Sequence, residues 1–203
     1  MDTVTTTEQL EALYGPPIPQ AIAKQAAIIT PQYRALMEAA TFAALATSGP
    51  EGLDCSPRGD ASGLVRIPDE RTILLPDRPG NNRADSLRNI IRDPRVAMLF
   101  LIPGLGMTMR ANGRAIISVD PSLRESFAIS GKPARSIVVI TVDDVYFQCT
   151  RAVLRADLWN PERHVDPATL PTAGEILAAM SDCRFGGEEY DRTWPERAKN
   201  TLW

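Results

Sequence analysis

Between residues 42 and 75 the chain alternates short apolar runs with turn residues, at a spacing too tight for helices. Phe42-Ala43-Ala44-Leu45-Ala46-Thr47 is an apolar run that ends in Ser48-Gly49-Pro50-Glu51-Gly52, a clear turn. Leu53 to Ser56 can pair back as the second strand of a hairpin. Gly63-Leu64-Val65-Arg66-Ile67 reads as a third strand, and Pro68-Asp69-Glu70 turns the chain into a fourth, Arg71 to Leu75. Four such strands predict an antiparallel sheet able to close into a barrel. Further strands are expected at Arg95–Ile102, Met107–Ser118 and Ser136–Phe147, the last strongly β-branched. In the second of these, Arg110, Asn112 and Arg114 alternate with apolar or small residues, so one face is polar. The class is mainly β with flanking helices.

The helices sit around that pattern. Tyr14-Gly15-Pro16-Pro17-Ile18-Pro19 is not a regular helix, and Ala21 to Ile29 reads as a short one. Thr30-Pro31 supplies an N-cap with proline in the first turn, and Tyr33, Leu36, Met37 and Ala40 repeat at helical spacing. Asp120-Pro121 opens a short helix through Phe127, and Arg151 to Leu158 is another, with Trp159 at its end. From Asn160 onward the chain is richer in Pro, Gly and charge, with one helical piece around Ile176 to Met180. The expected division is an N-terminal arm (1–29), a central domain (30–160) and a C-terminal appendage (161–203).

Composition narrows the function classes. An apolar fraction of 44% and a charged fraction of 23% are those of a globular chain. A net charge of −3 argues against a broad nucleic-acid or membrane footprint. No apolar run approaches the roughly 20 residues of a spanning helix, and residues 1–8 lack the basic start and apolar core of a signal peptide. A cytoplasmic protein is the expectation. Cys55, Cys149 and Cys183 form no close pair and read as reduced thiols. The lone histidine, His164, lies in a polar, Pro-rich stretch, which disfavours zinc clusters and histidine triads.

The segment Leu75 to Arg92 carries the chemistry. An apolar strand end passes through Pro76, Pro79 and Gly80 into a helix marked by Ala84, Leu87 and Ile91, which stops before Pro94. The first N–H groups of a helix lack internal partners and favour an anion. Arg78, Arg83, Asn81, Asn82 and Ser86 add donors, and arginine's planar fork suits phosphate oxygens. An ordinary polar loop before an ordinary helix would show the same residues, with Asp77 paired to Arg78 on the surface.

Taken together, Cys55-Ser56-Pro57-Arg58-Gly59-Asp60, Asp77-Arg78-Pro79-Gly80-Asn81-Asn82-Arg83, Asp93-Pro94-Arg95 and Met109-Arg110-Ala111-Asn112-Gly113-Arg114-Ala115 resemble the pyridoxamine 5′-phosphate oxidase-like family of FMN-binding split barrels. The branch it resembles carries Pro-Arg-Gly-Asp and Arg-Pro-Gly-Asn-Asn-Arg. The resemblance implies a six-stranded antiparallel split barrel and a homodimer with FMN in two interface clefts. It implies that Asn81, Asn82 and Arg83 hold the FMN phosphate, with Arg78 beside them. Arg58 would contact phosphate, ribityl or ring atoms in preference to an ion pair with Asp60, with Ser56 assisting. Thr108 and Arg110 would line the cleft, and Trp159 or Arg155 would close it.

Asn82-Arg83 stands where pyridoxamine 5′-phosphate oxidase proper has Arg-Lys, and the C-terminal arginine–histidine pattern of that enzyme is missing, so vitamin B6 oxidation is not implied. A fold of this kind does not specify a reaction. The reading is an FMN-dependent oxidoreductase acting on an unknown small molecule, with no catalytic acid or base assigned. The alternatives are a non-catalytic flavin- or phosphate-ligand-binding protein, or a split barrel using deazaflavin or haem. Cys55 is taken as a small structural side chain, and Asp143-Asp144 as a solvated strand end.

Overall fold

Alternation of inward and outward residues builds one curled sheet. The computed structural model describes residues 1–61 and 63–202, so Trp203 at the end of the expected appendage lies outside the described residues. Three helices, α1 (Thr7–Tyr14), α2 (Pro19–Ala23) and α3 (Pro31–Glu38), lead to the hairpin β1 (Phe42–Gly49) and β2 (Gly52–Gly59). Next come β3 (Thr72–Asp77), α4 (Asp85–Arg92), β4 (Arg95–Leu101) and β5 (Thr108–Ser118). The chain continues through α5 (Pro121–Ser126), β6 (Ser136–Gln148), α6 (Arg151–Ala156), α7 (Ala173–Met180) and α8 (Glu188–Thr201). No described helix is long and apolar enough to cross a membrane.

All neighbouring strands pair antiparallel in the order β2-β1-β4-β5-β6-β3. This is the six-stranded antiparallel split half-barrel with flanking helices that the family resemblance implies. On β1 the inward residues Ala43, Leu45 and Thr47 are buried opposite Phe100, Met98 and Val96 of β4. Met109, Ile140 and Val142 continue that core from β5 and β6, and Met37 of α3 plugs it. Thr30 caps α3 by accepting from the Tyr33 N–H at 3.2 Å, an interaction whose loss costs about 1 kcal/mol. On α4, Asn89 is buried and donates to Thr47 Oγ1 at 3.1 Å. A Cβ at Gly49 would overlap that Asn89 side chain, so β1 and α4 approach this closely only over a glycine.

Several expectations need correction. Gly63–Ile67 is not a strand. Adjacent Leu64 and Val65 are both buried, which a period of two forbids, and the segment makes one bridge, Arg66 with Leu74. The helix expected over 21–29 ends at Ala23, because Ala26 exchanges two backbone hydrogen bonds with Val145 of β6. Asp143-Asp144 is not a strand end. Register jumps from Asn112–Asp144 to Gly113–Val142, leaving Asp143 as the extra residue of a β-bulge, while Asp144 accepts from Asn112 Nδ2 at 3.1 Å. Two helices, α1 and α8, fall where none was expected. Pro195 inside α8 and Gly186-Gly187 before it read as breaks, yet Asp191 ties α8 to α7 by accepting from Gly174 N at 2.8 Å.

Candidate functional site

β2 and β3 are the two ends of the strand order, and the curl brings them together at a seam. There the Pro-Arg-Gly-Asp and Asp-Arg-Pro-Gly segments form crossed ion pairs. Arg58 of β2 reaches Asp77 of β3 at 3.0 Å, and Arg78 reaches back to Asp60 at 3.0 Å. Asp60 is nearly fully buried, its side chain 2% exposed. Arg78 also donates to the Phe127 carbonyl at 2.8 Å. Pro57 is tolerated because β2 is an edge strand, with a neighbour only on the β1 side. Burial pushes the Asp77 carboxyl above its ordinary range, against the pull of Arg58 and then Arg135. The Nε of Arg58 is buried with no hydrogen-bond partner. Arg58 therefore pairs with Asp77, not with Asp60, and Asp77 is not Arg78's surface partner.

Beside the seam lies a cleft of about 790 Å³. Ser56 and Arg58 line one wall, the loop Asn81–Ala84 and the start of α4 another, and Arg135 and Ser136 the end near β6. The loop turns through left-handed backbone at Asn82 (φ 61°) and Ala84 (φ 56°). A left-handed alanine costs roughly 1 kcal/mol or more. Ala84 is also the N-cap of α4 and offers no side-chain cap, so N–H groups of the first turn border the cleft without a side-chain acceptor at that cap. Arg135 Nη1 donates to Asn82 Oδ1 at 2.5 Å. Arg83 is largely exposed and turned toward Asp85, at 2.8 Å. Ser86 donates to Asp54 Oδ2 at 2.6 Å and its oxygen lies 2.7 Å from Ser56 Oγ. With the Ser86 proton given to Asp54, Ser56 donates to Ser86, and this relay ties β2 to α4.

Six of the nine expected cofactor residues thus share one cleft: Ser56, Arg58, Arg78, Asn81, Asn82 and Arg83. Thr108, Arg110 and Trp159 do not line it. Thr108 and Arg110 alternate with the buried Met109 and Ala111 and so project from the outer face of β5. Arg110 Nε donates to Asn112 Oδ1 at 3.2 Å, and its guanidinium stands 5.8 Å from the Tyr146 ring. Trp159 donates its indole N–H to the Leu105 carbonyl at 2.9 Å. On the same outer face the register lines up Ala44 between Pro57 and Leu99, and Ala46 between Cys55 and Ala97. Cys55 is exposed there, so it is not the buried hydrophobe expected of a structural thiol. His164 is exposed. Arg135 and Asp54 were not among the expected site residues. Arg135 precedes β6 with no local motif to mark it, and only the pairing of Ser136 with Asp77 brings it to the cleft.

The fold and the cleft define a class, an antiparallel split barrel with a donor-rich pocket beside the seam between its edge strands. The family profile described as pyridoxamine 5′-phosphate oxidase matches residues 29–149, more than half of the chain. The protein belongs to that family. Comparison with curated proteins finds no match. Among solved structures, HupZ of Group A Streptococcus is 19% identical, over 58% of this chain and 91% of that one, with a TM-score of 0.47. General Stress Protein 26 from Bacillus anthracis is 12% identical over 56% and 88%, TM-score 0.43. A FAD-binding protein from Mesorhizobium loti is 15% identical over 61% and 96%, TM-score 0.41.

Proposed function

We propose that this protein is an FMN-binding flavoprotein and oxidoreductase, with the cofactor phosphate held at the loop Asn81–Ala84. The observation that carries this reading is the cleft beside the seam, where an uncapped α4 N-terminus, Asn81, Asn82, Arg83 and Arg135 gather around one space in a member of this family. The buried, unpartnered Nε of Arg58 fits a polar ligand atom that would complete its hydrogen bonding. FMN supplies the electron-transfer chemistry when bound, and the protein binds, orients and tunes it. In this reading Arg83 leaves Asp85 for the phosphate, and Arg135 and Asn82 position each other along the cofactor's polar side.

The active unit is a homodimer. Phe42, Leu53 and Leu99 are exposed large apolar residues on the outer face of β1, β2 and β4, and a second copy covering them would also meet Thr108 and Arg110, which share that face. The test is a visible absorbance spectrum after loading with FMN and desalting, with light scattering on the same sample. Flavin bands that survive desalting in a dimer are the expected result. A colourless monomer would overturn the reading. Turnover with a reduced nicotinamide and an electron acceptor then separates an oxidoreductase from a protein that only binds flavin.

A further inference from the structure

α8 is held by α7 and stands off the barrel. Asp191 accepts from Gly174 N at 2.8 Å and from Thr172 Oγ1 at 2.5 Å. Yet no residue of α8 is buried, although one face of it, Tyr190, Trp194, Arg197, Ala198 and Thr201, looks across at the seam. The space between is a second cleft of about 780 Å³, lined on the barrel side by Arg58, Arg78, Asn81 and Arg135. A helix that only needed an anchor would pack such a face away. Here Tyr190 and Trp194 stack at 5.8 Å, nearly parallel, and the Arg197 guanidinium lies 4.9 Å and 5.2 Å from the two rings.

The charges in this cleft are unbalanced. Arg78 is paired with Asp60 and Arg58 with Asp77. Arg135 and Arg197 make no ion pair among the described residues. The two clefts meet at Arg58, Asn81 and Arg135, which line both. An aromatic wall that carries one guanidinium, Arg197, and faces a second, Arg135, across the cleft suits a flat ring that carries negative charge.

We infer that the cleft between α8 and the seam binds a planar aromatic anion, its ring against Trp194 and its charged group between Arg135 and Arg197. That the site lies on the substrate side of a flavin rests on the proposed function. The binding itself does not. Trp194 and Arg197 belong to a helix beyond the family match, which covers residues 29–149.

The experiment is calorimetric titration of the full chain, with and without FMN, using 2-naphthoate, 2-naphthyl phosphate and neutral 2-naphthamide. Naphthoate or naphthyl phosphate should bind about tenfold or more tightly than the amide, and whichever anion binds better identifies a carboxylate or a phosphate ligand. Trp194→Ala and Arg197→Gln should each weaken the better anion about tenfold, leaving FMN retention and the unfolding midpoint unchanged. Equal affinity for all three probes, or for wild type and both variants, overturns the inference. So does absence of binding at millimolar probe, the result expected if a second copy of the chain fills the cleft. Failure to retain FMN alongside anion binding that responds to Trp194→Ala would sink the flavin reading and leave this one standing.

Discussion

The seam and the loop beside it use the same side chains to opposite ends. At the seam, Arg58, Asp60, Asp77 and Arg78 are matched two against two and largely buried. A few residues on, Arg83 is 75% exposed and, among the described residues, paired within its own turn, to Asp85. Removing a partner from a buried pair leaves an uncompensated charge, whereas an exposed pair contributes little. One continuous motif therefore splits into a part that closes the barrel and a part left available to a ligand. An arginine in such a motif cannot be assigned to a cofactor until its carboxylate is accounted for.

The largest effect should come from the buried side of this contrast. Asp60→Ala should lower the free energy of unfolding by about 3 kcal/mol or more, read from urea denaturation; a loss under about 1 kcal/mol would put the seam on a par with the loop. Arg83→Ala should do the reverse. Its urea midpoint should stay close to wild type, while FMN affinity falls about tenfold to a hundredfold, measured by fluorescence titration. Arg83→Ala with unchanged affinity would remove the loop from the cofactor site.

Two carboxylates sharpen the comparison through pH. Asp77 at the seam has its pKa raised by burial, so the folded state holds its proton more tightly than the unfolded chain does. Its contribution to stability is greatest below the unfolded value near 3.8 and is lost as pH rises through the raised folded value. The stability of wild type relative to Asp77→Asn should accordingly fall over that window. Asp93 is half-buried and has the opposite sign. The Arg95 side chain and backbone N–H hold its carboxyl down to about 2, so its contribution is complete above the ordinary value of 3.8 and disappears as pH falls through about 2. Asp93→Asn should flatten that acid limb slightly, the smallest of these effects. Matching slopes for the two variants in acid titrations of stability would erase the distinction.

The parts legible in the sequence are those whose hydrogen bonds and contacts are local. Thr30-Pro31 starts α3 because the cap and its acceptor sit three residues apart. The turn around Pro50-Glu51 sets the β1–β2 hairpin because Gly49 pairs directly with Gly52. Alternation along β4, β5 and β6 reports the buried face, and the polar loop before α4 is visible as an anion-suited helix start. Each of these needs only the chain within a few residues.

What the tertiary structure decided was partnership between distant residues. Which carboxylate takes Arg58 and which takes Arg78 depends on the curl that brings β2 to β3 across four intervening strands. Leu64 and Val65 abandon strand geometry because both fit the core once that curl exists. Arg135 enters the cleft through the β3–β6 pairing, and α8 runs on through Pro195 while Asp191 anchors it to α7. Capping and alternation are set by short-range sterics and hydrogen bonds, so they survive in a one-dimensional reading. Charge pairing and burial are set by through-space distance, and only the folded sheet defines that distance.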